Sequence, residues 1–316
     1  MNIGNLKLKN NLVLAPMVAI NDQAFRVLCK KYDCGLVFTE MINANAIFKT
    51  NKATLKKLSF VKEEKPIAVQ LFGANTKMIE FAAKEAEKAG ADIIDFNFGC
   101  PDIKIIKQGA GAALLKRPAK IEEIIKAIVK TVNIPVTAKI RIGITKPDLG
   151  LKIAKIVEKA GASAIIVHAR TAKQGYSGKA DWDVIKEIKE NVKIPVIGNG
   201  DVFSGKDAYE ILEKTKCDGI MLGRSAMTNP AIFKEINYYL KNKKENKISN
   251  KEKLNLFFEY LELTKKYDCF DFVNAKRHAL NFMRGMPNIV KLRTKVSLTR
   301  NIEDMKKEIK EFQKDL

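Results

Sequence analysis

The chain is 316 residues long, enough to bury a large core in one big domain or in a big domain with a smaller partner. Its five cysteines are odd in number and include no C-x-x-C pair, which argues against a disulfide framework or zinc knuckle, and no apolar run approaches the roughly 18 residues of a membrane span. The net charge is +21, but Lys supplies 48 of the 57 basic residues, so a lysine-heavy background explains it as well as attraction to an anionic polymer does.

Residues 4–9 read as a short opening segment, and Leu12-Val13-Leu14-Ala15-Pro16-Met17 as a first buried strand. Pro16 interrupts the apolar stretch and Asn21-Asp22 follow it, so no secretory leader is expected and a cytoplasmic location is. A helix is predicted over 22–31, a second strand over 35–40, and a less regular Asn-rich piece over 43–58. A third strand covers 66–71, a helix 76–89, and a fourth strand 91–96. The pattern then repeats itself. Ile134-Pro135-Val136 opens a strand ending at Lys139-Ile140-Arg141, and Ile194-Pro195-Val196 opens another ending at Asn199-Gly200-Asp201. Lys88-Ala89-Gly90-Ala91 recurs in type as Lys159-Ala160-Gly161-Ala162, each time between a helix and a strand. Residues 163–168 form the sixth strand and 217–223 the eighth, with amphipathic helices over 121–130 and 148–159. Eight such units in about 230 residues predict an α/β fold closed as a (β/α)8 TIM barrel. No G-x-G-x-x-G follows the first strand, which weighs against a Rossmann domain.

Near residue 240 the composition shifts. The lysine-rich stretch 241–247 reads as a linker, dividing a barrel domain of residues 1–240 from a second unit of 241–316. Residues 254–263, 270–282, 289–296 and 302–312 have helical apolar spacing and predict a small helical bundle. This tail holds 19 basic against 11 acidic residues, a net +8, and is the more basic part per residue.

Barrel enzymes place their chemistry at the C-terminal strand ends. Here those ends carry Pro16-Met17, Glu40, Gln70, Asn97 with Cys100, Lys139 with Arg141, His168 with Arg170, Asn199-Gly200-Asp201 and Gly223-Arg224. Any one polar strand end is ordinary, but a whole ring with so few arginines and histidines to spend is not explained by solvation. Arg is retained where a planar fork is needed in place of a point charge. Two histidines in the whole chain and no H-E-x-x-H leave no His-rich metal site, so no metal is expected. Asp95-Phe96-Asn97-Phe98-Gly99-Cys100-Pro101, followed by Gly109-Ala110-Gly111, puts a thiol on a glycine-loosened turn after a buried strand. The bland alternative makes Cys100 a small buried hydrophobe, as most free cysteines are. The loops after the last two strands contain glycines and lead into helices, a setting where backbone N–H groups cradle phosphate and Arg224 adds charge-assisted bonds. Gln70, Lys139 and His168 would then face the rest of a phosphorylated cofactor.

Leu14-Ala15-Pro16-Met17, Gln70-Leu71-Phe72-Gly73, Asn97-Phe98-Gly99-Cys100-Pro101, Lys139-Ile140-Arg141, His168-Ala169-Arg170-Thr171, Gly198-Asn199-Gly200-Asp201 and Gly223-Arg224-Ser225-Ala226 occur in this order. In that set the chain resembles the tRNA-dihydrouridine synthases. The resemblance implies an FMN-dependent enzyme that uses NADPH to reduce the C5–C6 double bond of a tRNA uridine to dihydrouridine. It implies that Pro16, Met17, Gln70, Lys139, His168, Asn199, Gly200, Asp201, Gly223 and Arg224 hold FMN. It implies Cys100 as general acid, with Asn97, Arg141 and Arg170 on the substrate side. Lys276-Arg277-His278 is similar to a basic helix motif of that family that grips RNA, although Asn281-Phe282-Met283 departs from the aromatic-rich continuation. tRNA is then the partner, with no membrane, and a monomer is expected.

The implied chemistry is coherent. Hydride delivered to C6 leaves an enolate that needs a proton at C5, and a thiol with a pKa of about 8.5 still holds one at neutral pH where a carboxylate does not. A base must leave the RNA stack to reach a barrel mouth, which requires a basic surface to hold the strand. Two rivals share parts of this pattern: an FMN-dependent barrel dehydrogenase acting on a free pyrimidine or other small molecule, and an RNA-binding barrel without catalysis. The first gives no reason for a basic helical tail, and the second would be favoured by a purified protein that lacks yellow flavin and has no affinity for added FMN.

Overall fold

Short β-branched runs alternating with amphipathic helices close on themselves in the computed structural model, which describes residues 1–314; the last two residues of the expected second unit lie outside it. The barrel strands are β1 (Leu12–Leu14), β2 (Val37–Asn43), β3 (Ile67–Phe72), β4 (Ile93–Phe98), β5 (Val136–Arg141), β6 (Ala164–His168), β7 (Val196–Asn199) and β8 (Gly219–Leu222). Each pairs in parallel with its neighbour in sequence from β2 to β8, and β8 pairs with β1 through Met221 and Val13. The last seam is a parallel bridge between Val13 and Leu36, with Gly35 N–H donating to Leu12 O at 2.8 Å and Leu14 N–H to Leu36 O at 2.9 Å.

Two of these strands differ from the sequence reading in ways that matter below. β4 continues to Phe98, so Asn97 is a strand residue and not a turn residue. β2 continues to Asn43 past a register irregularity between Phe38 and Met41, and the stretch after it folds into short helices, Ala44–Phe48 and Lys52–Leu55.

The barrel axis is filled by Val13, Phe38, Ala68, Ile93, Ile166 and Met221, and closed from below by Ile3 and Leu8 of the N-terminal hairpin. Around it pack α1 (Gln23–Lys31), α2 (Thr76–Lys88), α3 (Pro118–Thr131), α4 (Gly150–Lys159), α5 (Trp182–Asn191), α6 (Gly205–Thr215) and α7 (Ile232–Asn242). Their starts follow the expected capping chemistry: Asp22 accepts from Phe25 N–H, Ser204 from Asp207 N–H, and α3 begins at Pro118.

Four tail helices follow a non-helical stretch after α7: α8 (Asn250–Lys266), started by a Ser249/Glu252 capping box, α9 (Phe272–Phe282), α10 (Ile289–Leu298) and α11 (Ile302–Lys314). Leu254, Phe257, Tyr260, Phe282, Val296 and Met305 belong to the same apolar cluster as the layer between strands and barrel helices. The tail sits on α1, whose six consecutive residues from Ala24 to Cys29 are all buried: one side meets the strands and the other meets α8 and α9. Tyr260 donates its hydroxyl to Asp22 Oδ2 at 2.7 Å, and Lys31 forms an ion pair with Glu259. Among the described residues no helix is long and apolar enough to cross a membrane.

Candidate active site

The polar strand ends converge on the barrel mouth in two groups. Strand alternation puts residues two apart on one face, so Asp95 and Asn97 of β4 point the same way, as do Thr137, Lys139 and Arg141 of β5. In the first group, Asp95 accepts from Thr137 Oγ1 at 2.6 Å and from Gln70 Nε2 at 2.7 Å. Gln70 Oε1 accepts from Asn97 Nδ2 at 2.8 Å, and Asn97 Oδ1 accepts from the backbone N–H groups of Gly99 at 3.0 Å and Cys100 at 2.8 Å. Burial pushes the Asp95 carboxyl up to about 6, opposed by those two hydrogen bonds and by the Lys139 charge.

Cys100 is half-buried at the end of this row and packs beside Phe72, Ile105 and Ala110. Its carbonyl accepts from Ala112 N–H at 2.9 Å. Gly111, at φ +61°, passes so close that a Cβ there would stand 2.7 Å from that carbonyl, so the glycine is required for the turn to fold over the thiol. Burial raises the Cys100 thiol pKa, the Asp102 charge adds to this, and Arg141 and Lys139 pull the other way. The proton therefore stays on sulfur at neutral pH, with two cations close by.

Lys139 is the link between the groups. Its Nζ donates to Asn199 Oδ1 at 3.0 Å, while Asn199 Nδ2 donates to Met221 O at 2.9 Å. Burial and the neighbouring Arg141 charge bring the ammonium down to about 8. His168 is pushed strongly down by burial and by the charges of Lys139, Arg141, Arg170 and Arg224, so its imidazole is neutral and offers one donor and one acceptor.

The second group is built on Asp201, held at φ +55° after Gly200 at φ +134°. Its carboxylate accepts from Arg170 Nη2 at 2.7 Å, Arg224 Nη2 at 2.8 Å and Ala180 N–H at 2.7 Å. Trp182 Nε1 donates to Gly200 O at 3.0 Å. A Cβ at Gly200 would stand 2.8 Å from Ala180 Cβ, so only glycine lets these loops approach. Arg224 is one-third exposed, between the rings of Tyr176 and Phe203 at 5.1 and 5.3 Å, and gives only Nη2 to a protein acceptor among the described residues. Gly223 lies beside Ala15 and Met17, and Met17 O ties down Ile20 and Asn21. Pro16 and Met17 are half-buried at this edge.

Several expected residues take other places. Arg170 does not lie open to a substrate: it is 1% exposed, and it holds Ser177 O at 3.1 Å, Gly178 O at 2.6 Å and Asp201, leaving Nη1 buried without a partner. Arg141 is beside Cys100 as expected, yet its Nη1 is committed to Thr171 O at 2.7 Å and Gly175 O at 2.9 Å. Both arginines thus clamp the 171–178 loop, which carries the exposed Tyr176.

The tail cluster is divided among different partners. His278 is fully buried, its ring 4.8 Å from Phe25 and 4.4 Å from Tyr260, with Nε2 in contact with Asp22 Oδ2 at 3.4 Å. Lys276 Nζ donates to Ser297 O at 3.0 Å and Thr299 O at 2.5 Å, capping the end of α10. Arg277 Nη1 donates to Ala19 O at 2.8 Å in the loop after β1. The residue types show that these three are basic or polar; they do not show that Lys276 and Arg277 are spent on backbone carbonyls and His278 on a buried contact with Asp22. Arg277→Ala is expected to lower stability by about 1.5–3 kcal/mol, the range for a lost charged hydrogen bond, read from denaturant midpoints. An unchanged midpoint together with weaker tRNA binding would restore the RNA-gripping reading.

Sequence reasoning passed over Asp95, Thr137, Tyr176 and Trp182. Asp95 was legible in principle, because a carboxylate two residues before Asn97 on a buried strand must share its face. Trp182 and Tyr176 had no local signal, since their partners come from other loops.

Residues 13–316 match the family model described as "Dihydrouridine synthase (Dus)". A probable tRNA-dihydrouridine synthase of Rickettsia conorii is 39% identical over 315 residues, covering 98% of this chain and 95% of that protein. The tRNA-dihydrouridine synthase B of Pseudomonas putida is 43% identical over 241 residues, covering 76% and 71%. Among solved structures, a 2-naphthoyl-CoA reductase complex superposes with a TM-score of 0.62 at 14% identity, covering 75% of this chain and 51% of that one. Morphinone reductase gives 0.56 at 13%, covering 75% and 88%. At such identities these two show the shared barrel alone.

Proposed function

Because the chain belongs to the dihydrouridine synthase family, and so reduces uridine in tRNA to dihydrouridine, we propose that it does so at this barrel mouth with bound FMN and NADPH as reductant, Cys100 giving the proton to C5. The family match spans tail as well as barrel, which sets aside the small-molecule dehydrogenase and the non-catalytic RNA binder. The observation that carries the site assignment is Cys100: a thiol kept protonated by burial, on a turn fixed by Asn97, with Lys139 and Arg141 beside it.

The residues present fit an FMN. A phosphate dianion needs cationic forks and finds Arg224, at the rim and held by Asp201. A flavin ring edge needs mixed donors and acceptors, which Asn199 and the neutral His168 offer, and a cation, which Lys139 offers; Gln70 lies behind them with its amide held between Asp95 and Asn97. Once bound and reduced, FMN would supply the hydride for C6. The protein's own part is then to position and to move one proton. Lys139 keeps positive charge at the mouth, where negative charge develops. Cys100 Sγ gives up its proton, and the resulting thiolate is stabilised by Lys139 and Arg141. Arg141 and Arg170 hold the 171–178 loop against the site through four backbone carbonyls. The tail supplies RNA affinity through exposed residues such as Arg284, Arg293 and Arg300, since Lys276 and His278 are otherwise engaged.

The defining test is dihydrouridine formation in unmodified tRNA by the purified, flavin-loaded protein, read by mass spectrometry; full-length tRNA left at its starting mass would overturn the reading. The pH dependence follows from Lys139. A cation lost as pH rises through about 8 should make the rate of tRNA reduction fall across that range, and Lys139→Met should lower the rate and flatten the profile there. An unchanged alkaline limb in that variant would assign it to another group.

A further inference from the structure

The hydrogen-bonded row behind Cys100 has a direction, and at its buried end one residue sets it. An ionised carboxylate has no proton to give, so Asp95 forces Gln70 to present Nε2. Gln70 must then turn Oε1 to Asn97, which answers with Nδ2 and so turns Oδ1 to the N–H groups of Gly99 and Cys100. Those N–H groups only donate, so the far end of the row demands the same sense. The two amides alone have no preference; reversed, they would set donor against donor at Cys100. All of this is buried, with Asp95 at 0%, Gln70 at 1%, Thr137 at 1% and Asn97 at 7% exposure, where water cannot repair a mismatch. Thr137 Oγ1 occupies the other carboxylate oxygen, so Asp95 cannot turn away from its task.

We propose that Asp95 is a positioning residue for the reaction: its carboxylate fixes the donor-to-acceptor sense of the Gln70–Asn97 row and thereby keeps an acceptor on the Cys100 backbone, holding the thiol in place. This rests on the reading of Cys100 as proton donor, but its test does not use turnover.

The experiment is a set of compensating substitutions in the flavin-loaded protein. It is read by thermal midpoint and by the rate of Cys100 alkylation with iodoacetamide, followed on its own peptide. Asn97→Asp alone puts two acceptors face to face wherever Gln70 turns, and should lower the midpoint and shift the alkylation rate. Adding Asp95→Asn lets the whole row reverse: position 95 donates to Gln70 Oε1, Gln70 Nε2 donates to the new carboxylate, and Cys100 N–H keeps its acceptor. The double variant should recover several degrees and return the alkylation rate about tenfold toward the parent, a mid-range coupling for contacting groups. With Gln70→Met in every member of the set the recovery should vanish, because only the amide carries the sense across.

Absence of recovery overturns the proposal. Recovery that persists without Gln70 also overturns it, since that is simple repulsion between carboxylates. If Asn97→Asp does not fold, folding regained on adding Asp95→Asn with Gln70 in place, and not regained when Gln70→Met is also present, supports the proposal. Failure to regain it, or regaining it with Gln70→Met, counts against it.

Discussion

Cys100→Ala is expected to bind flavin and accept electrons from NADPH as the parent does, and to fail when unmodified tRNA is added to the reduced protein. Neither of the first two steps uses the thiol. A positioned proton donor is typically worth about 10²–10⁴ in rate, so single-turnover reoxidation by tRNA should slow by that much without stopping. Ser is a poor substitute, because its hydroxyl is a far weaker acid than a thiol. The competing view of Cys100 as packing has some structural support, since it touches Phe72, Ile105 and Ala110. On that view Ala would cost some stability and leave reoxidation per folded molecule near the parent value. A parent-like reoxidation rate would remove Cys100 from the chemistry.

Arg224→Glu is expected to yield protein largely without flavin. Two effects add. The phosphate loses a guanidinium that is one-third exposed and already aimed by Asp201, and the new carboxylate stands against Asp201 itself, 2.8 Å from where Nη2 was. A hydrogen bond to a charged group contributes about 1.5–3 kcal/mol, and a reversal is worse than a truncation, so flavin affinity should fall at least about 100-fold. Arg224→Lys keeps the charge but loses the fork that reaches Asp201, and should fall between the two. Flavin content at purification, followed by titration of added FMN, checks both. Full flavin content in Arg224→Glu would move the phosphate away from this loop pair.

Much of the frame was legible from the chain. Eight apolar runs with helices between them specify a barrel because period-two and period-3.6 patterns bury different faces, and the strand ends follow from where those runs stop. The ring of Gln70, Asn97, Lys139, His168, Asn199 and Arg224 follows in turn, because parallel strands in a barrel bring their C-terminal ends to one rim. What the chain did not disclose is what each side chain does there. Arg170 and Arg224 look alike in sequence, yet one is sealed under the 171–178 loop and the other stands at the rim. Asp201 looked like a ligand contact and is the hinge between them. Lys276-Arg277-His278 looked like one surface and is split among a helix cap, a clamp on Ala19 and a buried ring. Such differences depend on contacts between residues far apart in the chain, which local pattern does not carry.

The burial of α1 on both sides bears on how the protein is made. Its outer cover comes from residues 238 and 258 positions downstream, through Tyr260 to Asp22 and Arg277 to Ala19. Synthesis runs from the N-terminus, so Phe25 and its neighbours must wait uncovered until the helices beyond residue 240 have been made. A chain stopped at residue 240 would keep all eight strands and still present an open apolar flank, sticky to chaperones and to other copies of itself. The tail helices thus complete the cover of α1 after the strands are made.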